Sequence, residues 1–245
     1  MRPVRFAIEH WSAWAPGLET RADWQQWLAA GGRAEAIADE PDKPRLDFMP
    51  PMLRRRASRV SRAALRVAWE CNEPDHNSRM IFASRHGELH RSAGLLSDLA
   101  HQEALSPNAF SLSVHNTAAG LYSIATGNRA GATALAAGLD SLAVAIITAA
   151  GYLQRGETAV SVVMADERPP EFYRRWADYP TGVFALGLRL VAADDNRGWR
   201  LSPVESDTIT PAELPAEMAL LCMLAGDTKQ LAIAGERHHW LWERN

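Results

Sequence analysis

Apolar residues recur along this chain with two spacings, and the switches between them mark out its elements. From residue 139 the apolar positions Leu139, Leu142, Ala143, Ile146, Ile147, Ala150 and Leu153 fall at offsets 0, 3, 4, 7, 8, 11 and 14, the stripe of one helical face. Arg155 and Gly156 then supply a basic last turn and a glycine stop. Just upstream, 132–138 is short, apolar and bounded by glycines, which predicts a central, buried strand. Downstream, 158–164 is rich in β-formers and predicts the next strand. Strand, tight turn, helix and strand make a βαβ unit, which places functional atoms where the first strand meets the helix.

The same reading extends along the chain. It predicts strands over 5–10, 79–84 and 182–192, and two short strands joined at Gly235 in the tail. Thr20 and Asp23 predict the start of a short helix with Trp24, Trp27 and Leu28 on one face. Helices are predicted over 58–71, with Val60, Ala63, Ala64, Val67, Ala68 and Cys71 inward, and over 89–100 and 116–126. Residues 31–50 read as loop, as does the stretch holding Pro169, Pro170 and Pro180. Thr210 and Glu213 predict a capping box with Pro211 at the first helical position, opening a helix to about Leu224. Strands alternating with helices imply an α/β layered domain around a mainly buried sheet.

Composition narrows the function. With 245 residues and 47% hydrophobic content the chain can bury a sizeable core. It reads as one domain over 1–245, with 196–245 a divergent helix and short strands. A net charge of −3 argues against bulk nucleic-acid binding. The opening MRPVRFAIEHW lacks the apolar core of a signal peptide, and 132–153 is interrupted by Gly138 and Asp140, so no membrane span is expected. Cys71 and Cys222 form no CxxC pair, which fits a reducing, cytoplasmic setting.

Candidate chemistry is sparse. The position opening the helix is Leu139, which has neither a proton to lose nor a lone pair to offer. Asp140 complements the helix dipole but would raise the pKa of a thiol beside it. Ser141 is the nearest hydroxyl, and a first-turn serine ordinarily bonds the backbone. Asp140 points about 100° away from Ser141 on a helix, so the two make poor members of a triad. His86 and His90 lie four apart without an HExxH pattern, so no metal is expected and none is assigned. Arg54, Arg55, Arg56, Arg59 and Arg62 crowd a helix start, against the dipole, where arginine forks suit phosphate and carboxylate partners. No P-loop or GxGxxG is present, and no cofactor is expected.

The stretch from Asn116 through Gly120, Gly127, Arg129, strand 132–138, the helix, Gly156 and Glu167 resembles the nucleophile region of the β-ketoacyl-[acyl carrier protein] synthases, without a gap. In that register the family's active cysteine falls on Leu139. RFAIEHWSAWAPG (5–17), FASRHGEL (82–89), SPNAFSLSVHN (106–116) and GVFALGLRLVAA (182–193) resemble the family's opening strand and loop, second strand and turn, approach to the nucleophile, and closing strand. The resemblance implies a thiolase-like α/β fold, the N-terminal half of a ketosynthase, layered about a central mixed β-sheet. The family's decarboxylating histidine pair has no counterpart, since His238 and His239 are adjacent and match neither motif. A synthase-like chain of this length without cysteine or histidine pair resembles the chain-length factors of aryl polyene pathways.

That resemblance implies a non-catalytic subunit forming a heterodimer with a ketosynthase. It implies tunnel-lining roles for His86, Gly87, His90, Ala93 and Gly94, with Leu89 and Leu96 facing the protein's own core. Phe110, His115, Asn116, Ala134 and Ala136 would form the partner interface. Arg54, Arg55, Arg56 and Arg59 would dock acyl carrier protein transiently. Two other readings stay open: an acyl-thioester hydrolase or acyltransferase using Ser141 or His115, and a self-associating scaffold.

Overall fold

In the computed structural model the described residues are 2–34, 37, 43–72, 77–176, 179, 182–194, 198–205, 210 and 212–245. Eight strands form one sheet in the order β3-β2-β4-β5-β1-β6-β8-β7. They are β1 (Val4–Trp14), β2 (Arg79–Ala83), β3 (Ala132–Leu135), β4 (Val160–Glu167), β5 (Val183–Val191), β6 (Trp199–Val204), β7 (Gln230–Ala234) and β8 (His239–Arg244). β2 pairs in parallel with both β3 and β4, and the remaining pairs are antiparallel, so the sheet is mixed.

Helices cover both faces. On one lie α3 (Arg59–Cys71) and α6 (Thr117–Thr126); on the other lie α1 (Arg21–Ala29), α7 (Ser141–Gln154) and α8 (Ala216–Ala225). The strands between them need apolar residues on both sides, which explains their near-continuous hydrophobic runs. Along β5, Phe184, Leu186, Leu188 and Leu190 meet the α7–α8 side, while Val183 and Ala185 meet α3. Gly187 lets α3 come close: a Cβ there would lie 2.8 Å from both Val67 O and Cys71 Sγ. The Thr20–Asp23 capping box forms as expected, and the six inward positions of α3 are all buried.

Several expectations change. Strand 132–138 is not central or buried: β3 is a four-residue strand at the sheet edge with alternating exposure. Its central neighbour is β2, and the β3–α7–β4 crossover passes over that strand. Residues Gly138–Asp140 form a 3-10 turn and α7 starts at Ser141, so Leu139 leaves the buried stripe and is 40% exposed. The helix expected from 211 starts at Ala216 after Pro215, so Glu213 precedes it and no capping box forms. Pro180 and Pro211 lie outside the described residues. In α4 (Leu89–Ala100) the buried leucine is Leu95, whereas Leu96 is 56% exposed: the helix is turned about one position from the expected face. Gly87 precedes that helix at φ 57°, a backbone conformation that favours glycine. The short helices α2 (Pro51–Arg54) and α5 (Pro107–Ser111), and strand β6, were not anticipated.

Candidate functional site

The strand-to-helix turn after β3 is held by the far end of the chain. Gly138 takes φ 56° to reverse the chain, and a Cβ there would lie 2.4 Å from Glu236 Oε1. The Leu139 N–H donates to that same Oε1 at 3.0 Å. Asp140 Oδ1 accepts from Trp240 Nε1 at 2.7 Å and from the Glu236 N–H at 3.3 Å. Gly235 is required here too, because its Cβ would meet Asp140 Oδ1 at 2.3 Å and His238 O at 2.5 Å. Two glycines therefore allow two carboxylates to stitch the β7–β8 hairpin to the turn.

Ser141 is fully buried. Its Oγ accepts from the Ala137 N–H at 2.9 Å and donates to Gly138 O at 2.8 Å. That hydroxyl serves the turn's backbone. His115 Nε2 lies 3.1 Å from Ser84 O, on another turn, and none of the described hydrogen bonds joins it to Ser141.

A second cluster sits at the ends of β2 and β4. The Asp166 carboxylate accepts from Ser84 Oγ at 2.7 Å, from the Arg85 N–H at 2.9 Å and from the His86 N–H at 3.2 Å. Burial raises its pKa, opposed by these bonds. Burial also lowers the pKa of His86, favouring the neutral ring, whose Nε2 is buried without a partner. Gly87 must lack a side chain, since a Cβ would lie 2.8 Å from His115 Cδ2. His90 Nε2 lies 2.7 Å from Arg168 O. Ala93 is half-buried, and Gly94 is exposed with open space over it. Deeper, the Tyr179 hydroxyl donates to Glu217, both fully buried. Burial, then the charge of Asp166, pushes the Glu217 carboxyl up to about 7.

Of the residues expected at a partner surface, Phe110, Asn116, Ala134 and Ala136 are exposed and His115 is half-buried. Phe110 is 65% exposed, and Leu96, Leu99, Val114 and Ile124 are exposed on the neighbouring helices α4 and α6 and the segment between them. Among the described residues β3 pairs with β2 alone. The arginines divide. Arg55 and Arg56 line a groove of about 620 Å³ with Arg91, Met52, Leu53 and Ile124, and Arg56 donates to Asn108 Oδ1 at 3.1 Å. Arg54 lies 3.9 Å from Asp47, and Arg59 is half-buried; neither lines the groove.

Sequence reasoning missed Glu236, Arg85, Asp166 and the Tyr179–Glu217 pair. Asp166 and Glu167 had left a signal, as charges ending an otherwise apolar strand. Among the described residues no group of three or more His, Cys, Asp or Glu could hold a metal, and no helix is long and apolar enough to cross a membrane.

A mixed sheet between two helical layers, with a strand-to-helix turn at the end of β3, defines a thiolase-like α/β protein. The model of the β-ketoacyl synthase N-terminal domain matches residues 24–243, and the chain belongs to that family. It is similar to a chain of the solved complex of the ketosynthase ApeO with its chain length factor ApeC from Xenorhabdus doucetiae. The identity is 28%, over 98% of this chain and 100% of that one, with a TM-score of 0.86. The ishigamide ketosynthase/chain length factor shares the fold at 17% identity, 84% and 68% coverage and a TM-score of 0.62. So does a β-ketoacyl synthase from Burkholderia phymatum, at 14% identity, 92% and 71% coverage and 0.59. No curated protein matches the chain.

Proposed function

We propose that this chain is a non-catalytic chain-length factor: it forms a heterodimer with a ketosynthase and bounds the acyl tunnel in a type II polyketide pathway of the aryl polyene kind. The observation that carries the reading is the turn itself. Leucine stands in the nucleophile register, its amide is taken by Glu236 and the adjacent hydroxyl of Ser141 is taken by the backbone. The similarity to a chain of the ApeO–ApeC complex over nearly the whole length supports it.

The partner would add to the uncharged edge of β3 and cover the apolar surface around Phe110. His86, Gly87, His90, Ala93 and Gly94 would face the partner's tunnel. The groove with Arg55, Arg56 and Arg91 suits an acidic carrier protein, apolar side chains beneath and arginines at the rim.

The test is co-expression with a ketosynthase encoded nearby and purification through one tagged chain. The two are expected to co-purify, and Gly94→Phe or Ala93→Trp should give shorter products from an assembled complex. A chain that stayed a homodimer with the ketosynthase present would instead be a self-associating scaffold. Unchanged product length from an assembled complex would show that α4 does not measure the chain.

A further inference from the structure

Behind the Leu139 turn lies a pocket of about 340 Å³. Leu142, Met164, Leu214 and Ile233 give it apolar walls, and Tyr179 and Glu217 are among its polar members. Among the described residues, Arg85 is the only cationic one lining it. The Arg85 Nε is buried and meets no acceptor. The two buried carboxyls beside it are committed elsewhere: Asp166 to Ser84 Oγ and the Arg85 and His86 amides, and Glu217 to the Tyr179 hydroxyl. A guanidinium is always charged and carries five donors in a fixed fork, so burying its Nε without an acceptor leaves a desolvation cost uncompensated.

We propose that this pocket binds a small monocarboxylate with an apolar body, its carboxylate on Arg85 and its chain among Leu142, Met164, Leu214 and Ile233. The arginine fork matches a carboxylate in two parallel hydrogen bonds. The volume stands at the small end of ligand cavities, which favours a body of several carbons over a long acyl chain. A phosphate fits less well. Among the described residues no second cation lines the pocket, Glu213 also lines it, and the nearby Leu139 amide is already held by Glu236. The site belongs to this chain alone and does not rest on the ketosynthase partner.

The experiment is calorimetric titration of hexanoate into the full chain, or into its purified complex, with hexanamide as the uncharged counterpart. Hexanoate should saturate one site per chain. Losing the charge-assisted pair should weaken it by about tenfold or more, both for hexanamide and in Arg85→Gln. Arg85→Gln removes the unpartnered Nε together with the positive charge beside Glu217, so its melting temperature is measured alongside binding to confirm that the variant is folded. Leu214→Trp should block binding by filling the pocket with Arg85 intact, and it serves as the deciding variant if Arg85→Gln does not fold. Equal binding of hexanoate and hexanamide, or no saturable hexanoate binding at millimolar concentration, would overturn the proposal.

Discussion

A carboxylate 3.0 Å from the Leu139 amide changes what any side chain at position 139 can do. A thiol placed there would have negative charge from Glu236 beside it, which opposes ionisation, where an active cysteine draws on the positive end of a helix. Leu139→Cys should therefore react slowly with iodoacetamide at pH 7. Adding Glu236→Gln, which keeps an acceptor but drops the charge, should speed alkylation several-fold, to about tenfold. Neither variant should condense acyl thioesters under the non-catalytic reading proposed above, because a thiolate can accept an acyl group but decarboxylation and condensation need further proton-transferring groups. Condensation products from either would sink the non-catalytic reading. Leu139 was singled out in the sequence by the motifs on either side of it, which carry the family resemblance. Glu236 was not: it lies 97 positions away and only the folded hairpin brings it back.

β3 shows how far periodicity reaches. A short run of small apolar residues identifies a strand, but strands at an edge and at the centre read alike when they are short and uncharged. What separates them is partnering, and β3 pairs with β2 only. Ala134 is exposed at that edge, so Ala134→Lys should leave the fold intact and break the proposed heterodimer. Normal co-purification of a folded variant would place the interface elsewhere. The long amphipathic α3 and the capped α1 were readable because their signals are local. β6 escaped because it is held by β1 and β8, has Pro203 within it and buries only Leu201 fully, so its pattern is not that of a strand. α4 was placed correctly along the chain but turned by one residue, since leucines at 95, 96 and 99 allow more than one apolar face.

At the scale of the molecule, the order of strands was not legible, because it is set by pairings between distant segments. The same distances bring Glu217 under the sheet beside Asp166, where burial raises its carboxyl from 4.5 to about 7. The folded state thus holds that proton more tightly than the unfolded chain. Below pH 4.5 both states are protonated and folding loses nothing. Between pH 4.5 and 7 stability falls, and above that the loss, about 3 kcal/mol, stays constant. Glu217→Gln should flatten this slope in denaturant titrations across the window and be more stable than the parent at pH 8. An unchanged slope would assign the pH dependence to other groups. The sheet order also dictates a schedule of synthesis. β1 sits between β5 and β6, so Phe6 and Trp14 leave the ribosome about 170 to 180 residues before the first strand that can pair with them. At about 5–20 residues per second that is roughly 10–35 s with a tryptophan-bearing strand unpaired. For that interval the elements that can cover it are the early helices: Trp14 packs in one cluster with Val60, Ala64 and Val67 of α3, and Trp24 of α1 donates to Ala13 O.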